Sequence, residues 1–306
     1  MKLLKKLLFI LALLVAIHST AQQLPQFTQY MYNTISINPA YAGSREALNV
    51  TGVYRDQWTG FDRSPKTKTL SIHTPLRDDR IGIGLSFIND ELGYENYNFL
   101  YGDFSYTIQT GEKTKLAFGI KGGFTHYNFD NALFDDPQYA NDPTLVDNGR
   151  SKWTPNMGVG LYFHTYKWYL GLSAPRIFNT ENSSNQDYVS FDQVNYYFTG
   201  GYVLDLSTQL KLKPAFMLKG TDGAPISVDA TLNFLFYEKL WLGVSYRFGD
   251  GIGFIADFQV LKQLRLGYAY EAPLSDIKRG TYGTHEVLAI FELKFGNSKM
   301  KSPRYF

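Results

Sequence analysis

The side chains that could do chemistry in this chain do not come together in a catalytic pattern. Gly171-Leu172-Ser173-Ala174-Pro175 approaches the G-x-S-x-G elbow on which a hydrolase serine stands, but proline takes the last position and the segment alternates as a strand, so Ser173 reads as a lumen-facing strand residue. Gly119-Ile120-Lys121-Gly122-Gly123 lacks the G-K-[ST] ending of a phosphate loop. The five histidines, His18, His73, His126, His164 and His285, are too scattered for H-E-x-x-H zinc chemistry and are expected at interfaces or strand ends, used much as tyrosines are. Asp130, Asp135, Asp136, Asp142 and Asp147 could offer oxygens to calcium, but their spacing does not match a calcium loop, and a solvated loop is expected. With no cysteine anywhere, disulfides, thiolate metal sites, cysteine nucleophiles and a lipid-modified N-terminal cysteine are excluded together. The expectation is a non-enzyme without metal or cofactor.

Arg55, Arg63, Lys66 and Lys68 surround the turn DQWTGFDRSPKTK as a basic cluster. An ordinary polar turn accounts for it; contact with lipid headgroups or a partner is the functional alternative.

The chain that must position these residues opens with Lys2, Lys5 and Lys6, an apolar run over residues 7–17, and the small residues Ser19 and Ala21. This is the pattern of a secretory signal peptide, with cleavage expected after Ala21, because the apolar run is shorter than the roughly 20 residues of a spanning helix. Loss of three lysines would leave 27 basic against 28 acidic residues, so the charge gives no argument for nucleic-acid binding. The 23 Tyr, 23 Phe and 27 Gly, with only 19% charged residues, point instead to β-structure at a membrane interface.

Period-two alternation recurs along almost the whole chain. Over 263–270, Leu264, Leu266, Tyr268 and Tyr270 oppose Gln263, Arg265, Gly267 and Ala269; over 227–237, Val228, Ala230, Leu232, Phe234 and Phe236 oppose Ser227, Asp229, Thr231 and Asn233. Fourteen such runs begin near Ala47, Thr67, Arg80, Tyr94, Thr114, Trp153, Lys167, Gln193, Thr208, Ile226, Lys239, Gly251, Gln263 and Thr284. A soluble sandwich would alternate too. Here the second face carries Gly82, Gly84, Lys121, Lys211, Lys213, Asp229, Asp257 and Arg265, which suits a polar lumen, and Tyr94, Tyr97, Trp153, Trp168, Tyr237 and Trp241 sit at strand ends as an interfacial girdle would. The fold class is therefore all-β, a transmembrane antiparallel β-barrel of about 14 strands over residues 47–296. A signal peptide occupies 1–21, an N-terminal plug-like segment 22–46 and a polar C-terminal tail 297–306. Residues 130–152 and 179–192 are expected to be extracellular loops, and Lys213-Pro214 a strand kink.

Several of these residues carry a family resemblance. Gln26-Phe27-Thr28-Gln29-Tyr30-Met31 with Asn38-Pro39-Ala40-Tyr41-Ala42-Gly43 opens the mature chain. Arg55-Asp56-Gln57-Trp58 with Gly60-Phe61, Gly283-Thr284-His285-Glu286 before the last strand, and Ser302-Pro303-Arg304-Tyr305-Phe306 at the end complete the set. The chain resembles the PorP/SprF family of type IX secretion-associated outer-membrane proteins. The resemblance implies a barrel of the long-chain fatty-acid transporter type in the outer membrane, in contact with its lipid. It also implies a role in secreting a partner surface protein or adhesin and holding it at the cell surface, sometimes for gliding motility. The residues just named become candidates for plug or partner contacts. The competing reading is a transporter that passes small apolar molecules through the lumen and a lateral opening.

Overall fold

The computed structural model describes residues 26–76, 79–130, 151–178, 193–221 and 224–294. Its strands are β1 (Leu48–Asp56), β2 (Lys66–Pro75), β3 (Ile81–Leu92), β4 (Glu95–Gln109), β5 (Lys115–Phe129), β6 (Ser151–His164), β7 (Trp168–Ala174), β8 (Asn195–Tyr202), β9 (Leu204–Asp205), β10 (Leu210–Thr221), β11 (Ser227–Phe236), β12 (Leu240–Arg247), β13 (Gly251–Gln259), β14 (Leu264–Pro273) and β15 (Thr284–Leu293). Each strand pairs antiparallel with its neighbour, and β1 pairs with β15, so the sheet closes on itself. Closure removes the free edges that an open sheet would expose, which hydrocarbon does not tolerate.

β8 and β9 are two pieces of one stave. Both pair with β10 in a single register, and the break at Val203 falls opposite Lys213 and beside Pro214, which has no N–H to donate. The barrel thus has fourteen staves, each starting within two residues of the run read from the sequence. Pro214 does not kink its strand: β10 runs unbroken through it, and the missing donor interrupts the neighbouring stave instead.

Alternation sets the two faces. Leu70, Leu85, Phe104, Ile120, Leu172, Phe198, Leu232, Phe254, Tyr268 and Val287 are exposed on the outside, while Thr69, Ser86, Asp103, Lys121, Ser173, Thr199, Asn233, Asp257 and Glu286 are buried inside. An apolar exterior around a polar interior inverts the soluble pattern and matches a barrel solvated by lipid. Among the described residues no helix is long and apolar enough to cross a membrane. At the end holding Leu48 and Leu293 the staves are joined by turns of three to five residues; connections at the other end range from two residues to 21. Short periplasmic turns and longer extracellular loops give bacterial barrels the same asymmetry.

The aromatic girdle needs correction. Trp153 and Tyr237 are exposed, as expected, but Trp241 is buried against Val203 and Leu235 in the lumen, and Tyr97 lies on the face of Phe99 and Tyr101. Their alternation partners, Ser245 and Arg247 for Trp241 and Asp103 for Tyr97, already belong to the inner face. His73, two residues from the end of β2 and opposite Asn49, is buried on the inner face.

Candidate functional site

The lumen contains the chain's own N-terminal segment. Residues 27–43 are almost all buried and run from the loop end toward the end where β1 begins, folded into three short turns: Tyr30–Tyr32, Thr34–Ile37 and Pro39–Tyr41. Phe27, Tyr30, Met31, Tyr32 and Ile37 pack with the inward residues Val53, Met217, Ile255 and Leu288. Burial pushes the Tyr30 and Tyr32 phenols well above their usual range, so both stay neutral.

At the loop end this segment meets a chain of buried charges contributed by five staves. Arg55 on β1 and Glu286 on β15 are register partners, and Arg55 Nη1 donates to Glu286 Oε2 at 3.2 Å. Arg55 Nη2 reaches Glu271 Oε1 on β14 at 3.2 Å, and the same oxygen accepts from Arg247 Nη1 on β12 at 3.2 Å. Arg247 Nε then donates to Asp229 Oδ1 on β11 at 2.8 Å. The N-terminal segment docks on the acids of this chain. The Thr28 and Gln29 main-chain N–H groups donate to the two oxygens of Glu286 at 3.0 and 2.9 Å, Thr28 Oγ1 donates to Glu271 at 2.9 Å, and Gln26 Nε2 donates to Asp229 and Ser227. A carboxylate facing free N–H groups at the start of a helical turn is the favourable polarity.

Farther down, glycines flatten the inner wall beneath Asn38-Pro39-Ala40-Tyr41-Ala42-Gly43. A Cβ on Gly119 would lie 2.1 Å from the Ala40 nitrogen, one on Gly160 2.1 Å from Asn38 Oδ1, and one on Gly82 2.1 Å from the Ala42 oxygen, so no side chain fits at any of the three. Asn38 caps its own turn through Ala40 N at 3.0 Å and donates to the Leu161 carbonyl at 2.9 Å. Pro39 starts the turn, where its missing N–H is harmless. Tyr41 packs edge-on between His73 and Tyr162, and Gly43, at φ +72°, donates its N–H to His73 Nδ1 at 3.2 Å. Ser173 Oγ, the residue of the failed elbow, donates to the Ile37 carbonyl at 2.7 Å. Arg45 closes the far end on Glu292.

Trp58 and Phe61 belong to a second assembly outside the lumen. The β1–β2 connection pairs with the β14–β15 connection: Thr59 N donates to the Gly283 carbonyl at 2.8 Å, Tyr282 N to the Thr59 carbonyl at 2.7 Å, and Trp58 N to Thr284 Oγ1 at 3.2 Å. Phe61 sits against Gly280, and Gly60 against the Tyr282 ring. His285 faces outward on β15, its Nδ1 2.6 Å from the Tyr268 hydroxyl.

The structure therefore divides the sequence candidates. Gln26, Phe27, Gln29, Tyr30, Met31, Arg55 and Glu286 meet where the N-terminal segment docks on the buried charges and the apolar residues beside them, a junction that acts as a latch; Asn38, Pro39, Tyr41 and Gly43 lie on the glycine floor; Trp58, Phe61 and His285 are on the loop side and the outer face. Arg304, Tyr305 and Phe306, the expected signal peptide, residues 131–150 of the first long loop and the whole of the second lie outside the described residues. The basic cluster dissolves, because Arg55 is buried while Arg63 pairs with Asp130 and Lys68 with Glu91 on the surface. Sequence reasoning missed Glu271, Arg247 and Asp229 as latch partners; their signal was a charge at an inward position of an alternating strand.

Residues 19–291 match the model of the type IX secretion system membrane protein family PorP/SprF. The chain belongs to this family. Its solved structural neighbours include the CymD monoaromatic hydrocarbon channel, at a TM-score of 0.53 and 12% identity over 87% of this chain and 93% of that one. Another is the Ralstonia pickettii toluene transporter TbuX, at 0.50 and 11% over 85% and 92%. At such identities the likeness is one of fold, and it places a PorP/SprF barrel among outer-membrane barrels. No curated protein matches the chain in sequence.

Proposed function

We propose that this PorP/SprF protein is a closed outer-membrane platform of type IX secretion, supporting the secretion and surface anchoring of a partner surface protein or adhesin, including one used for gliding. The observation that carries this reading is the interior occupied by residues 27–43 and tied to buried charges on five staves, which leaves a binding body more naturally than a conduit. The paired connections around Trp58, Phe61 and Tyr282 offer a rigid, aromatic surface on the loop side for the secreted partner. The short turns at the other end suit contact with secretion components in the periplasm. Cleavage after Ala21 would leave Gln22 as the N-terminus, a point that N-terminal sequencing of the membrane-inserted protein settles.

The test compares surface and secreted proteomes of a deletion strain, its parent and a complemented strain. Selective loss of one or a few large surface proteins is expected, and it names the partner. An unchanged surface proteome overturns the reading. The second reading, passage of small apolar molecules, draws on the fold shared with hydrocarbon channels. Uptake of such molecules by liposomes bearing the purified protein would favour it; the filled lumen argues for none.

A further inference from the structure

The outer face of the wall does not change character at one height all round. β4 and β5 run for 15 residues each and β6 for 14, against 8 to 10 in β11 to β15, so the β3–β6 side stands taller. On the shorter side exposed apolar residues continue up to the loops, as with Ile226, Tyr246, Phe248 and Ile252. On the taller side the register marks where the apolar band stops. Leu70, Phe87, Leu100 and Phe124 lie side by side across β2 to β5, all exposed, and form its top row. The next outward row toward the loops is Lys68, Asn89, Asn98, His126 and Trp153, and beyond it Glu91 lies opposite Asn96. From Leu116 to Phe124, on the same face of β5, is about 26 Å of strand, which once tilted fills most of an apolar band roughly 25 Å tall. The amide row therefore stands at the level of the outer headgroups.

This patch is ordered. Asn89 Nδ2 donates to Asn96 Oδ1 at 3.1 Å and to Asn98 Oδ1 at 3.0 Å, and Asn98 Nδ2 donates to Asn96 Oδ1 at 2.8 Å, so the three amides fix one another. His126 stacks on Trp153 with ring centroids 4.5 Å apart, and its Nε2 lies 2.8 Å from Ser151 Oγ. Trp153 is still 63% exposed, which leaves much of the indole open. Lys68 and Glu91, at the β2 edge, pair at 2.7 Å.

We propose that this patch binds the sugar headgroup of a glycolipid in the outer leaflet. Fixed amides present donors and acceptors side by side, as neighbouring hydroxyls require, and an open indole face takes the C–H face of a sugar ring. Lys68 is held by Glu91, so the patch recognises hydroxyls rather than a bare phosphate. The occupant is lipid-borne because the apolar row directly below contacts its acyl chains where they already lie in the leaflet, which leaves the sugar at the height of Asn98 and Trp153. The proposal rests on the outer-membrane barrel and is independent of the secretion reading.

The test places the purified full chain in mixed micelles with lipopolysaccharide or with phosphatidylglycerol, and native mass spectrometry follows lipid retention against added concentration. Saturable retention of lipopolysaccharide is expected. Trp153→Ala and Asn98→Leu, both on the outer face, should each weaken it about tenfold, the effect of losing one good contact, while retention of phosphatidylglycerol stays parental. Phe248→Ala, an exposed aromatic on the shorter side, should keep parental retention of both lipids. Heat-modifiable gel mobility selects variants that have folded, and two positions guard against one failing to fold. The proposal is overturned by absence of saturable lipopolysaccharide retention, by parental retention in both folded patch variants, or by an equal loss in Phe248→Ala. Displacement by the released, lipid-free sugars at the same concentration as the intact glycolipid would overturn a lipid-borne occupant in favour of a free glycan.

Discussion

Arg55 and Glu286 face one another across the seam where the first and last staves join, and Glu286 also accepts the main-chain N–H groups of Thr28 and Gln29. One carboxylate thus ties barrel closure to the docking of the N-terminal segment. Both side chains are about 1% exposed, so the pair is desolvated, and removing one partner leaves a buried charge uncompensated.

Arg55→Met is accordingly expected to destabilise the barrel by about 3–5 kcal/mol, because Glu286 and part of Glu271 lose their cation. Glu286→Gln should be milder, since the amide still has an oxygen to accept from Thr28 or Gln29. The Arg55→Met/Glu286→Met double variant should lose less than the two single methionine variants summed. Urea unfolding followed by tryptophan fluorescence measures all of them; additive losses would show that the pair is not coupled.

Gly119 and Gly122 provide an internal comparison on β5. Gly119→Ala drives a methyl group into the Ala40 main chain and should cost about 1–3 kcal/mol through overpacking, while displacing Asn38–Ala40. Gly122→Ala has nothing within 4 Å and should stay within about 0.5 kcal/mol of the parent. Protease sensitivity of the segment in the folded barrel distinguishes displacement from global unfolding.

The intact protein should be electrically silent in planar bilayers, and deletion of residues 26–43 should open steady conductance. A parent that conducts as freely as the deletion would mean that the segment does not occlude the lumen.

Gly283→Ala addresses the paired loops alone. Gly283 sits at φ +96°, and a Cβ there would meet the Tyr270 ring at 2.6 Å. The strain, about 1–2 kcal/mol for a left-handed residue, should loosen the Thr59–Gly283 pairing and weaken partner capture while heat-modifiable mobility stays parental. Unchanged capture would remove the loop pair from the interface.

Alternation made the wall legible, because a stave between lipid and a polar lumen must change character at every residue, as residues 227–237 do. It also sets Trp241 on the inner face with Ser245 and Arg247, against the preference of aromatics for interfaces. The latch was half legible: Arg55 and Glu286 stood out as motif residues, but their pairing with Glu271 and Arg247 depends on register between staves far apart in sequence. The turns of residues 27–43 were not legible as helix, since runs of three or four residues are too short to display a helical period.

The docking of Thr28 on Glu286 joins positions 258 residues apart, so the part of the chain that leaves the ribosome first completes its contacts only when the last stave is in place. Contacts this distant in sequence form late and slowly. The barrel must therefore be assembled around its own N-terminus, and a chain that inserted before threading that segment would be caught as an open pore whose Glu286 lacks the Thr28 and Gln29 N–H donors. Successful insertion and an intact permeability barrier thereby become a single event at the joining of the first and last staves.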